Sequence, residues 1–220
     1  MPTQLNERRS ASRISLHNRR QKPMFTREWS IPAILTIFLL GVCGLIAYFT
    51  WSLIPPATAA ENQMGGPFNL IDDRGQPITE QTLKGHPSLI YFGYTHCPDV
   101  CPTTLFEMAG WFKTLGPEAD RLKAYFFSVN PERDTAEVMH KYTGNFTDRI
   151  TGITGDPAEM QKAVKAWRIY AKKVPSPGGD YTMDHTASVL LVDTSGNLRG
   201  LIAYGEDNGV ALQKIRNLLK

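Results

Sequence analysis

At 220 residues, the chain has room for one domain with extensions, or barely two small domains. Its formal charge of +3 is unevenly spread: residues 1–30 hold seven Lys/Arg against two acidic residues, residues 31–54 hold no charge, and residues 55–220 are left at −2. The basic surplus therefore belongs to the leading tail, and the main part of the chain has no charge pattern expected of a nucleic-acid partner.

Residues 31–54 form an uncharged run of 24 residues, long enough to cross a bilayer as a helix. Trp29 and Trp51 stand near its ends, where interfacial aromatics collect. The basic residues before it predict an N-terminus retained inside and a following domain exported. The expected organisation is a basic cytoplasmic tail (1–30), a transmembrane helix (31–54), a linker (55–67) and a folded domain (68–220). Ala57-Thr58-Ala59 resembles a cleavage site, but the apolar run is longer than a signal-peptide core. A bacterial inner membrane with the domain in the periplasm is the first expectation. A mitochondrial inner membrane facing the intermembrane space is the alternative, since the start is rich in Arg and Ser. Cys43, in mid-span, reads as a small apolar residue.

Residues 55–67 are rich in Pro, Ala and Gly and lack periodicity. Two short apolar runs around Asp72-Asp73-Arg74-Gly75 predict a hairpin. Residues 89–94 predict a buried strand and residues 103–115 a helix that ends at Gly116-Pro117. A second buried strand is expected over 122–129, then a turn at 130–134. Asp134 or Thr135 could cap a helix running to about Phe146. A short strand (150–154) and a helix from Asp156-Pro157 through Trp167 follow. Residues 174–184 read as a loop, 187–192 and 198–204 as strands around a turn, and 211–219 as a closing helix. Strands alternating with helices predict an α/β fold with parallel pairing first and antiparallel strands added late.

Two thiols lie between the first buried strand and its helix, in Cys97-Pro98-Asp99-Val100-Cys101-Pro102. Pro102 biases Cys101 away from helical angles, so the helix proper is expected to start near Pro102, with Asp99 as a candidate cap. A helix N-terminus lowers a thiol's pKa and favours thiolate, which both metal binding and disulfide exchange require. Five histidines are candidates for a third ligand: His17 in the tail, His86 in a turn, His96 beside Cys97, His140 in mid-helix and His185 before a strand. The loop before that strand can lie beside the first strand–helix turn, which makes His185 a candidate. Two cysteines and one histidine form a soft set suited to Cu(I), with imidazole also allowing Cu(II). Zinc prefers four ligands, and no fourth strong donor is evident.

The run Phe92-Gly93-Tyr94-Thr95-His96-Cys97-Pro98-Asp99-Val100-Cys101-Pro102 resembles the signature of the Sco/SenC family. Residues 128–135 (SVNPERDT) resemble its second motif, 152–156 (GITGD) its third, and Asp184-His185-Thr186 its distal histidine region. The resemblance covers about residues 65–215, with an anchor in the expected place. It implies a thioredoxin-like fold with an N-terminal β-hairpin extension, after a single transmembrane helix. It also implies copper, as Cu(I) or Cu(II), bound by Cys97, Cys101 and His185. The implied role is a metallochaperone that matures the binuclear copper centre of cytochrome c oxidase. The implied partners are the copper-receiving subunit of that oxidase and other periplasmic copper chaperones or thiol reductants. The alternative is a thiol–disulfide oxidoreductase that reduces the receiving protein's cysteines through Cys97 and Cys101. One departure stands out: Asn130 occupies a position where the family usually has Asp. A signalling sensor has no supporting domain in this chain. A peroxidase is disfavoured because Thr95 stands two residues, not three, before Cys97.

Overall fold

The computed structural model describes residues 30–53 and 64–220. The basic tail, Ile54 and most of the expected linker lie outside the described residues. The chain divides into two compact units, one ending at Ala57 and one starting at Thr58.

In the first unit, α1 (Ser30–Leu53) is a continuous helix. Among the described residues it is the one helix long and apolar enough to cross a membrane, over Ile31–Ser52. Ile34, Phe38 and Trp51 point outward. The hydroxyls of Thr36, Thr50 and Ser52 donate to carbonyls one turn back, at Pro32, Ile46 and Tyr48. An apolar helix that returns its hydroxyls to its own backbone meets the demand of a hydrocarbon environment, where unpaired polar groups are costly.

The second unit is built on a seven-stranded sheet. At its centre β3 (Ser88–Gly93) pairs in parallel with β4 (Lys123–Ser128), and β4 with β5 (Ile150–Thr154). Parallel pairing requires crossover connections. These are α2 (Val100–Leu115), with a short 3₁₀ segment after it, and α3 (Ala136–Gly144). All six β3 residues are buried, as expected for a strand covered on both faces. Tyr91 stacks on Phe126 at 5.8 Å and Phe92 on Phe127 at 5.0 Å, so the two central strands are joined by aromatic pairs as well as by hydrogen bonds.

Antiparallel strands complete both edges. β8 (Val189–Val192) and β9 (Leu198–Ile202) lie beyond β3, while the hairpin of β1 (Asn69–Asp72) and β2 (Pro77–Thr79) lies beyond β5. Asp72 Oδ1 accepts from the amides of Arg74 and Gln76 and shapes the hairpin turn. α4 (Pro157–Ala166) starts as expected, with Asp156 accepting from the amides of Ala158 and Glu159. Asp207 caps α5 (Asn208–Leu218) in the same way. Thr135, rather than Asp134, caps α3. The result is a thioredoxin-like α/β fold with an N-terminal hairpin extension.

Two local expectations are corrected. Residues 174–184 are not a loop: β6 (Ala171–Pro175) and β7 (Tyr181–His185) form a separate two-stranded ribbon. Ser176 N donates to Asp180 O across the turn, so the Pro/Gly-rich stretch is a hairpin tip. The helix after the cysteines begins at Val100, which puts Cys101 in its first turn. Pro102 also falls in that first turn, where its missing N–H would be unpaired in any case.

Candidate metal centre

The site stands at the carboxyl end of β3, where open α/β sheets bind ligands. Tyr91 pairs with Val189 across the β3–β8 junction. The segment just before β8 therefore crosses over the loop that follows β3. That register brings His185 to the cysteines across 84 residues of sequence.

Cys97, Cys101 and His185 place their donor atoms within 4.8 Å of one another. Both thiols are free, Cys97 half-buried and Cys101 fully buried. Cys97 Sγ accepts the Cys101 amide at 3.4 Å. The sulfur thus serves the helix start, whereas Asp99 makes no side-chain capping bond. Cys101 Sγ lies 3.4 Å from His185 Nε2, and Tyr91 Oη donates to it at 3.7 Å.

The two sulfurs are electrostatically unlike. The Cys101 thiol donates to Cys97 and, with help from the Asp99 and Cys101 amides and from His185, pulls the Cys97 pKa down to about 5 against the opposing effect of burial. Cys101 is driven the other way, first by its bond to the Cys97 sulfur and then by burial. The pair at neutral pH is one thiolate and one thiol.

His185 is fixed by its neighbours. Its Nδ1 lies 2.9 Å from the Thr186 carbonyl, which can only accept, so Nδ1 carries a proton and Nε2 is the ring nitrogen that faces the sulfurs. The rings of Tyr91 and Tyr94 meet the imidazole edge-on at 6.2 and 5.8 Å. Thr186 is itself tied to Tyr170 by two bonds, from its amide to the Tyr170 carbonyl and from the Tyr170 amide to its hydroxyl.

Thiolate–metal bonds run about 2.3 Å, so donors around a three-coordinate ion stand about 4 Å apart. The observed cluster matches that span, and its soft donors suit Cu(I). The other described histidines stand apart. His96 is exposed against Thr95 Oγ1, His140 lies 3.6 Å from Asp73, and His86 meets Tyr125 Oη.

The structure gives three further residues a part in framing the site. Gly93 has no room for a β-carbon, which would stand 2.8 Å from Cys101 Sγ. Asp134 is fully buried, and its carboxylate accepts from Thr95 N, Thr95 Oγ1 and Ser128 Oγ. The loop that leads into Cys97 is thereby pinned to the end of β4. Asn130 is also buried and accepts from Tyr181 Oη at 2.8 Å. It is the residue that departs from the family's usual Asp within the second motif.

The family model SCO1/SenC matches residues 56–220. The solved structure described as Bradyrhizobium japonicum ScoI with copper bound is 46% identical, with a TM-score of 0.66, and the match covers 70% of this chain and 99% of that one. Protein SCO2, mitochondrial, from Saccharomyces cerevisiae is 34% identical over 160 residues. That match takes in 71% of this chain but only 53% of the relative, so the chain spans about half of that protein's length. BsSco, described as a member of the Sco family of cytochrome c oxidase assembly proteins and as having a disulfide switch, is 23% identical with a TM-score of 0.57 and shares the fold. The extent of the family match and the near-complete coverage of ScoI place this chain in the SCO1/SenC family.

Proposed function

We propose that this protein is a membrane-anchored copper carrier that holds the ion through Cys97, Cys101 and His185 and hands it on during assembly of the binuclear copper centre of cytochrome c oxidase. The observation that carries this reading is the convergence of two sulfurs and one oriented imidazole nitrogen within 4.8 Å. The copper-bound state of ScoI supports it. Copper is the cargo, and the chain's own groups prepare for it. Cys97 stands as thiolate, Cys101 gives up one proton, and His185 presents Nε2 without rearranging its tautomer. α1 is the proposed anchor, with the basic tail inside and the folded domain in the periplasm or intermembrane space.

The test is titration of the full chain in detergent with Cu(I) and Cu(II), wild type against His185→Ala. One ion per chain and a Cu(II) spectrum that loses its nitrogen coupling in the variant are expected. An unchanged Cu(II) spectrum would remove His185 from the site.

One observation favours a second reading. A half-buried low-pKa thiolate beside a buried thiol is the arrangement of an attacking and a resolving cysteine. Cys97 would attack a disulfide of the receiving protein to form a mixed disulfide. Cys101 would then resolve it, leaving a Cys97–Cys101 disulfide and two reduced thiols on the partner. This chemistry needs both cysteines but not His185. Restoration of oxidase assembly in cells by His185→Ala at the wild-type level would select it over copper delivery.

A further inference from the structure

The ribbon that carries His185 has little to hold it. β6 and β7 stand apart from the main sheet, most of their residues are exposed, and Met183 is the one described strand residue of the pair that is buried. A two-stranded hairpin alone is marginal in water, so its seating depends on side-chain anchors. Besides the buried Met183, whose backbone bonds the Tyr94 hydroxyl, these anchors gather on one segment, residues 130–133 of the turn after β4. Tyr181 Oη donates to the buried Asn130 Oδ1 at 2.8 Å. The Arg133 guanidinium lies 3.7 Å from the centre of the Tyr181 ring and pairs with Asp180 at 2.7 Å. Lys173 pairs with Glu132 at 2.6 Å.

The next residue of the same segment, Asp134, grips Thr95 on the cysteine side through two bonds of 3.1 and 2.6 Å. One short stretch of chain therefore holds both halves of the candidate metal centre, the cysteine loop by Asp134 and the histidine ribbon by Asn130 and Arg133. The two ion pairs are exposed and screened by salt, so they contribute little. The Tyr181–Asn130 bond has a buried acceptor, and breaking it leaves that acceptor unpaired.

We infer that Tyr181, through its hydroxyl bond to Asn130, is a positioning residue that sets the distance of His185 from the two sulfurs and so governs retention of Cu(II) apart from Cu(I). This rests on the copper-site reading above. Two thiolates satisfy Cu(I) without help, whereas Cu(II) relies on the imidazole. A ribbon freed from its anchor keeps the first affinity and loses the second.

The experiment compares full-length wild type, Tyr181→Phe, Asn130→Ala, Asn130→Asp and His185→Ala in detergent. Cu(I) affinity is read by competition with a chelator, Cu(II) affinity and nitrogen coupling by titration and electron paramagnetic resonance. Tyr181→Phe keeps the ring beneath Arg133 and removes only the hydroxyl. About tenfold weaker Cu(II) binding is expected, with reduced nitrogen coupling and Cu(I) affinity within about twofold of wild type. Asn130→Ala should behave alike, and Asn130→Asp, which keeps an acceptor for Tyr181, should retain the wild-type signal. Equal loss of Cu(I) and Cu(II) in Tyr181→Phe, unchanged Cu(II) binding, or equal loss in both Asn130 variants would overturn the inference. Should His185→Ala itself leave the Cu(II) signal intact, the copper-site reading fails rather than the anchor.

Discussion

At Gly93 the last residue of β3 lies against the cysteine that opens α2. A β-carbon there would meet the Phe126 ring at 2.7 Å and Cys101 Sγ at 2.8 Å, closer than such atoms pack. Gly93→Ala is expected to cost about 1–3 kcal/mol in stability through overpacking and to weaken Cu(I) binding about tenfold or more by displacing Cys101. Thermal unfolding and chelator competition check the two effects. The unlike sulfurs predict a second outcome. Metals bind thiolates, so acid must weaken binding. Cys97 is already thiolate above about 5, whereas Cys101 holds its proton through the neutral range. Loading Cu(I) should thus release about one proton near neutrality, and a second below the Cys97 value, where affinity falls more steeply. Chelator competition across a pH series would show a slope of log affinity against pH of about one, steepening to about two. The cysteine pair was legible because its spacing sits between a buried strand and a helix. The roles of Gly93 and Asp134 were not, since a strand-end glycine and an aspartate before a helix have ordinary local explanations.

At the level of elements, β3 and the β6–β7 ribbon mark the two extremes of legibility. Leu89, Ile90, Tyr91 and Phe92 are consecutive, apolar and wholly buried, so their run announces a central strand. Lys172, Lys173, Thr182 and Asp184 are exposed and show no apolar period. Their ribbon exists because residues 176–180 turn back on themselves and Tyr181 is anchored, which are tertiary facts. The same contrast predicts unequal costs. Phe127 is fully buried between Phe92 and Phe68, at 5.0 and 5.6 Å. Phe127→Ala should lower stability by about 3–5 kcal/mol, read by denaturant titration, without changing the copper stoichiometry of the folded fraction. The start of α2 shows a local rule outvoted: Pro102 disfavours a helical Cys101, but the Cys97 sulfur takes the Cys101 amide and the helix begins earlier.

For the whole molecule, the proposed arrangement puts a basic tail on one side of a membrane and the metal-binding domain on the other. In intact spheroplasts, protease added outside should degrade the domain and spare an epitope at the N-terminus. Inverted vesicles should show the reverse, and protection of both ends on one side would refute the single span. The sequence by itself determined the apolar helix, the buried central strands, the capped helix starts and the two neighbouring thiols. Each of these is set by residues close together in the chain, through periodicity, capping or spacing. Only the tertiary structure shows how His185 comes beside the sulfurs, because the antiparallel seating of β8 against β3 carries it across 84 residues to them. It also decided that Cys97 and Cys101 differ as acids, since burial and hydrogen bonding, not residue type, separate two identical thiols.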